Sequence, residues 1–134
     1  MLAAVGLFGV RGIATGGPDT WHGDGLPVRT GDVIDPIRAA RGFQSGELSL
    51  LDVRDPAEWE RQAVPGSERS ALWQIGHWGA PSAAAVAVVC ASGTRAAIAA
   101  SALRARLPQP VLRVDGGVAD VLAALVHEPA ASLL

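Results

Sequence analysis

Lysine is absent from these 134 residues; all eleven basic side chains are arginine. Thirteen acidic residues set against them give a net charge of −2, so the chain lacks the basic excess that a nucleic-acid partner would need. Cysteine is almost absent. A single Cys90 excludes an internal disulfide framework and a cysteine-based zinc site. A free thiol suits a reducing compartment, which points to the cytoplasm. His22, His77 and His127 are scattered with no metal-ligand spacing, so no metal site is expected. Long apolar runs are missing too. The apolar opening, residues 1–10, is interrupted by Arg11. It is too short to span a bilayer, and without a basic leading segment it makes a poor secretory signal. Neither a membrane nor a nucleic-acid partner is therefore expected.

What remains is a globular composition, with 49% hydrophobic and 18% charged residues, at a length that suits one domain with a real core. Apolar runs alternate with helical patterns along the chain. Asp35 before Pro36, and Asp55 before Pro56, read as helix caps followed by proline at the first helical position. The first of these helices is expected to close at Gly42, and the second to turn Trp59 inward. Residues 49–53 and 85–90 read as buried strands, 71–72 as a short one, and 111–114 as another. Residues 73–82 carry three glycine or proline breakers and read as loop with one helical turn; His77, within it, is expected to face solvent. Alanine-rich residues 96–107 and residues 118–126 read as helices. Asp115 before Gly116-Gly117 reads as a turn residue. The alternation argues for an α/β fold with a mostly parallel central sheet of about five strands and helices on both faces.

In such sheets the ligand crevice lies at the carboxyl ends of the strands, and Cys90 closes one of them. Ala91, Ser92, Gly93 and Thr94 follow, then Arg95 and a helix. A strand, a turn of small residues and a helix start let the backbone N–H groups of 91–95 curl round the sulfur, with Gly93 supplying conformational freedom and Arg95 a fixed cation. A helix N-terminus has unpaired N–H groups and partial positive charge, which favours an anion, and a thiolate is the nucleophilic form of cysteine. A cysteine closing an apolar strand is also commonly nothing more than a small buried hydrophobe.

Four stretches, in order, resemble the rhodanese family. They are Leu51-Asp52-Val53-Arg54-Asp55 with Glu58-Trp59, Val64-Pro65-Gly66-Ser67, Cys90-Ala91-Ser92-Gly93-Thr94-Arg95, and Val114-Asp115-Gly116-Gly117. The resemblance implies a sulfurtransferase of the rhodanese-like fold that uses no cofactor. The Cys90 thiolate takes the outer sulfur of thiosulfate or a persulfide, and the Cys90 persulfide then gives it to a thiol or cyanide. Arg95 and the loop backbone, Ala91 to Thr94, would stabilise the anionic outer sulfur. Asp52, Arg54 and Glu58 would order the surrounding loops.

The chain departs from the family in places. Gln62-Ala63 stand where the family has a histidine before the Val64 turn, and Val121 replaces an aromatic. Residues 10–21 repeat the strand, Gly-Gly and helix pattern, with Trp21 as the aromatic. Residues 1–30 are thus expected to be an arm resembling the tail of a preceding rhodanese-like unit, as in tandem proteins behind metallo-β-lactamase-like domains. Residues 31–134 form the domain proper. The arm's apolar surface offers a route to a homodimer. Two rival readings stay open. One is a cysteine phosphatase or arsenate reductase, whose loops generally place five residues between cysteine and arginine where this chain has four. The other is a non-enzymatic rhodanese module, regulatory or a sulfur carrier for a fused domain.

Overall fold

The computed structural model describes residues 32–79 and 81–127. The expectations for the 1–30 arm, including pairing of two chains through it, lie outside the described residues. The elements run β1 (Val33–Ile34), α1 (Pro36–Ser45), β2 (Leu48–Asp52), α2 (Pro56–Arg61), β3 (Glu68–Arg69), a 3-10 helix (Leu72–His77), β4 (Ala85–Cys90), α3 (Thr94–Arg104), β5 (Val111–Gly117) and α4 (Val118–His127). The five strands form one sheet in the order β1-β5-β4-β2-β3, and every pairing is parallel. This is the α/β sheet that the alternating pattern predicts. The parallel pairing follows from the helical crossovers between neighbouring strands.

The strand side chains divide between two cores with the period of two that a pleated strand imposes. From β4, Ala87 and Val89 join Leu50, Val114, Val118 and Val121 on the side covered by α1 and α4. Val86, Val88 and Cys90 join Leu51, Val53, Ile75, Ala99 and Leu103 on the side covered by α3 and the 3-10 helix. Burial on both faces explains why the central strands read as unbroken apolar runs. Cys90 therefore has its side chain on the α3 face, and α3 begins four residues later.

Several local expectations are corrected. Helix α1 runs past Gly42 to Ser45 and is closed by Gly46. Gly42 is instead buried within the helix where it packs against Leu48. Residues 71–72 are not a strand: the short strand is Glu68–Arg69, and Leu72 opens the 3-10 helix. Asp115 is not in a turn, because β5 runs on through Gly117, and its side chain is exposed. Trp59 is only half-buried, and α2 has no fully buried residue. Its Nε1 is nonetheless sealed from solvent without a hydrogen-bond partner. His77 is exposed, as expected for its segment. Among the described residues, no helix is long and apolar enough to cross a membrane.

Leu50 is fully buried under α1, whereas Val126 on α4 is 76% exposed. Leu50→Ala is expected to cost about 2–5 kcal/mol, the range for emptying a leucine site in a packed core. Val126→Ser is expected to stay within about 0.5 kcal/mol. Urea denaturation with unchanged slope checks both.

Candidate active site

The site is built where β4 ends. Cys90 is the last residue of the strand and is 1% exposed. Gly93, three residues on, has φ +106 and serves as the N-cap of α3. That left-handed conformation reverses the chain sharply enough to bring the helix start back over the strand end, and a side chain there would be strained. The Gly93 N–H donates to Cys90 Sγ at 3.0 Å, and the Ala96 N–H donates to the same sulfur at 3.4 Å. The ring of five amides expected from 91–95 is thus narrower in practice. Of that set only Gly93 bonds the sulfur, and Ala96, one residue beyond it, supplies the second bond. Ala91, Ser92 and Thr94 are exposed, so the sulfur lies beneath a layer of small residues.

A second feature could not be read from the loop itself. At Gly117 on β5, opposite Cys90, an added Cβ would collide with the Ala91 carbonyl oxygen. The first loop residue is packed directly on the Gly117 backbone. The β4–β5 register is irregular at this point, between Val88↔Arg113 and Cys90↔Gly117, as is common where a sheet re-aims a residue beside a site. The Asp120 carboxylate accepts the Gly117 N–H at 2.8 Å and holds that backbone in place. The Gly-Gly pair was visible in the sequence, but its use as a platform for the loop was not.

Arg95, expected to stand as a cation for the outer sulfur, is gripped by Glu58. Nη1 and Nη2 donate to Oε1 and Oε2 at 2.6 and 3.2 Å, and Asp55 lies 3.8 Å from Nη1. Glu58 also accepts the Asp55 N–H at 3.2 Å, closing the start of α2. It thereby joins α2 to the helix that carries the loop. The hydrogen bonds from Arg95 are the main cause that holds the Glu58 carboxyl at about 2, below its ordinary 4.5. Burial opposes them; the Asp55 N–H and the charges of Arg95 and Arg54 assist. Arg95 is raised in turn, first by its bond to Glu58 and more weakly by the charges of Glu58, Cys90 and Asp55.

Asp52 and Arg54 form a separate, buried fork. Nε lies 3.0 and 3.1 Å from the two carboxylate oxygens and Nη2 lies 2.8 Å from Oδ2. Arg54 Nη2 also donates to the Gln62 carbonyl at 2.6 Å, tying the end of β2 to the end of α2. Breaking a buried pair costs about 3–5 kcal/mol, whereas a partly exposed pair such as Glu58–Arg95 is worth about 0–1 kcal/mol. The first pair accordingly bears on stability and the second on direction. Among the described residues, no cluster of three or more potential metal ligands occurs.

These features define a class: a parallel α/β domain presenting a lone cysteine, held by backbone N–H groups, at the carboxyl end of a central strand. The chain belongs to the rhodanese-like domain family, whose model matches residues 35–124. Among solved structures it resembles a thiosulfate sulfurtransferase from Pseudomonas aeruginosa, at 26% identity and TM-score 0.62, over 74% of this chain and 19% of that one. It also resembles a single-domain sulfurtransferase from Saccharomyces cerevisiae, at 16% identity and TM-score 0.59, over 77% and 98% of the two chains. A third is a protein of unknown function from Rhodopseudomonas palustris, described as a possible tyrosine phosphatase, at 23% identity and TM-score 0.62, over 87% and 96%. Among curated proteins no sequence match was found.

Two outcomes follow from this geometry. Gly117→Ala is expected to displace the Ala91 carbonyl and lower the melting temperature. The Leu50→Ala variant serves as a control that destabilises without touching the loop, and only Gly117→Ala should alter the alkylation rate of Cys90 under native conditions. Because the Glu58 carboxyl is depressed on folding, its contribution is fully present above pH 4.5 and is lost as pH falls towards 2. Wild-type stability, followed by denaturation at a series of pH values, is expected to fall more steeply across that window than the stability of Glu58→Gln.

Proposed function

We propose that this protein is a sulfurtransferase that moves sulfane sulfur from thiosulfate or a persulfide to a thiol or cyanide through a Cys90 persulfide. The observation that carries the reading is the pair of backbone N–H groups, from Gly93 and Ala96, aimed at the Cys90 sulfur. The Cys90 thiolate attacks the outer sulfur of the donor. A Sγ–S bond forms, the donor's bond to that sulfur breaks, and the electron pair leaves with sulfite or the donor thiolate. An acceptor then attacks the outer sulfur and the electron pair returns to Sγ. The scheme is covalent catalysis with two half-reactions and ping-pong kinetics.

The loop suits a persulfide for a simple reason. The first N–H groups of a helix have no partner within it. In α3, Ala96 is bonded to Sγ and Ala97 to the Gly93 carbonyl. Thr94 and Arg95 stand ahead of them, and their N–H groups are donors for a second, anionic sulfur. Arg95 stands beside them with its guanidinium held by Glu58. The structural likeness to the Pseudomonas and yeast sulfurtransferases supports the same chemistry. A lone reactive thiol fits a reducing compartment, so a cytoplasmic location goes with the proposal.

The likeness to a possible tyrosine phosphatase keeps a second reading in view. Four residues separate Cys90 from Arg95, and a loop that short fits a single sulfur better than a tetrahedral oxyanion. Incubation with thiosulfate, followed by intact-mass measurement, is expected to add one sulfur atom to the wild type and none to Cys90→Ser. A thiol or cyanide should then remove it. Turnover of an aryl phosphate that disappears in Cys90→Ser would favour the phosphatase. A folded protein that takes sulfur from no donor would favour a non-enzymatic module.

A further inference from the structure

The positive charge that meets an incoming donor has to come from a side chain that is not already neutralised. Arg95 is forked by Glu58 and Arg54 by Asp52, each with two or more hydrogen bonds to its carboxylate. Both pairs lie on the β2 side of the Cys90 loop, because Asp52 closes β2, Arg54 follows it by two residues, and Glu58 lies on α2, the next element. On the opposite side stands β5, the other neighbour of β4 in the sheet.

Arg113 projects from β5 towards the same loop. Its Nη1 would lie 3.3 Å from a Cβ built on Gly93, the residue whose N–H holds the Cys90 sulfur. Its side chain is 29% exposed, so it is part-buried against the protein and still reaches solvent. Among the described residues its guanidinium has one ionic neighbour, Asp115, at 3.9 Å, and that carboxylate is 72% exposed. A contact of that length and exposure neutralises little. A guanidinium beside the first residues of a helix also stands against the positive end of the helix dipole. An anion bound beside both the helix start and Arg113 would offset that opposition.

We propose that Arg113 is a donor-selecting residue: it binds the oxyanionic end of a sulfur donor while Cys90 attacks the outer sulfur. The inference rests on the sulfurtransferase reading and sharpens it. It assigns the site to donors whose leaving group carries anionic oxygens, such as thiosulfate, over donors whose leaving group is an alkyl thiolate with no charged oxygens. For thiosulfate, the Sγ–S bond forms as the S–S bond to the sulfonate breaks, and sulfite leaves with the electron pair. Arg113 holds the sulfonate oxygens throughout, and a planar guanidinium matches an oxyanion with two parallel donors.

The test is a quenched time course of Cys90 persulfide formation, followed by intact mass, with thiosulfate and with 2-hydroxyethyl persulfide as alternative donors. In Arg113→Gln, the half-saturating thiosulfate concentration is expected to rise about tenfold or more, the loss expected when a charge-assisted contact is removed. Arg113→Lys is expected to recover part of that loss. The rate with 2-hydroxyethyl persulfide is expected to be unchanged in both. Asp115→Asn, an exposed change that leaves the fold intact, should act in the opposite sense. It is expected to lower the half-saturating thiosulfate concentration about two- to threefold. Equal losses with both donors in Arg113→Gln, or no response to thiosulfate in either Arg113→Gln or Asp115→Asn, would overturn the assignment while leaving the Cys90 reading intact. A wild type that gains sulfur from neither donor would remove that reading and this one together.

Discussion

Two backbone N–H groups pointing at one sulfur atom are the constraint around which the rest of the domain is arranged. For Gly93 and Ala96 to reach Cys90 Sγ, the chain must leave a strand, reverse within three residues and enter a helix directly above the strand end. Parity on β4 places Cys90 on the α3 face together with Val86 and Val88. A one-residue slip would send the sulfur to the other core, away from the helix start. The positive φ of Gly93 makes the reversal possible, and Gly117 gives the first loop residue a surface with no Cβ in the way.

The charged groups around the loop divide by burial into two kinds. Asp52 and Arg54 are almost fully enclosed, and their multiple hydrogen bonds replace the water that both have lost. They bind the end of β2 to the end of α2 and so hold the wall beside the loop. Glu58 and Arg95 are part-exposed, so their attraction adds little to stability. Their geometry matters more. Glu58 is anchored at the start of α2 by the Asp55 N–H, and through Arg95 it fixes the first turn of α3. The cysteine loop is thus held from below by β5 and from the side by α2, with Arg113 on the remaining flank.

Much of this was legible in the residues themselves. The Asp-Pro helix starts, the two-sided apolar strands and the Cys-to-Arg loop are local signals, and each depends on chemistry within a few positions. The errors were local too. Gly42 looked like a helix end, but helix termination competes with packing, and here a glycine was needed to admit Leu48. Residues 71–72 looked like a strand because apolar pairs do not reveal their period. That Ala96 donates to the sulfur is not legible in the residues, because only the fold shows how far past the arginine the helix start curls back over the strand end. Arg113 was missed because nothing in its own neighbourhood points to a loop some twenty residues earlier.

By itself the sequence determined the α/β class, the parallel sheet and the position of a lone thiol at a strand end. Those follow from periodicity, from breaker residues and from the rarity of cysteine. Tertiary structure alone decided which amides meet the sulfur, which carboxylate takes Arg95, and which arginine stands beside the loop with only a long contact to a carboxylate. Such outcomes depend on neighbours brought together across the sheet: α2 beside α3 on one flank, β5 beside β4 on the other. Side-chain charge is written in the sequence, but whether that charge is already neutralised is a property of the fold.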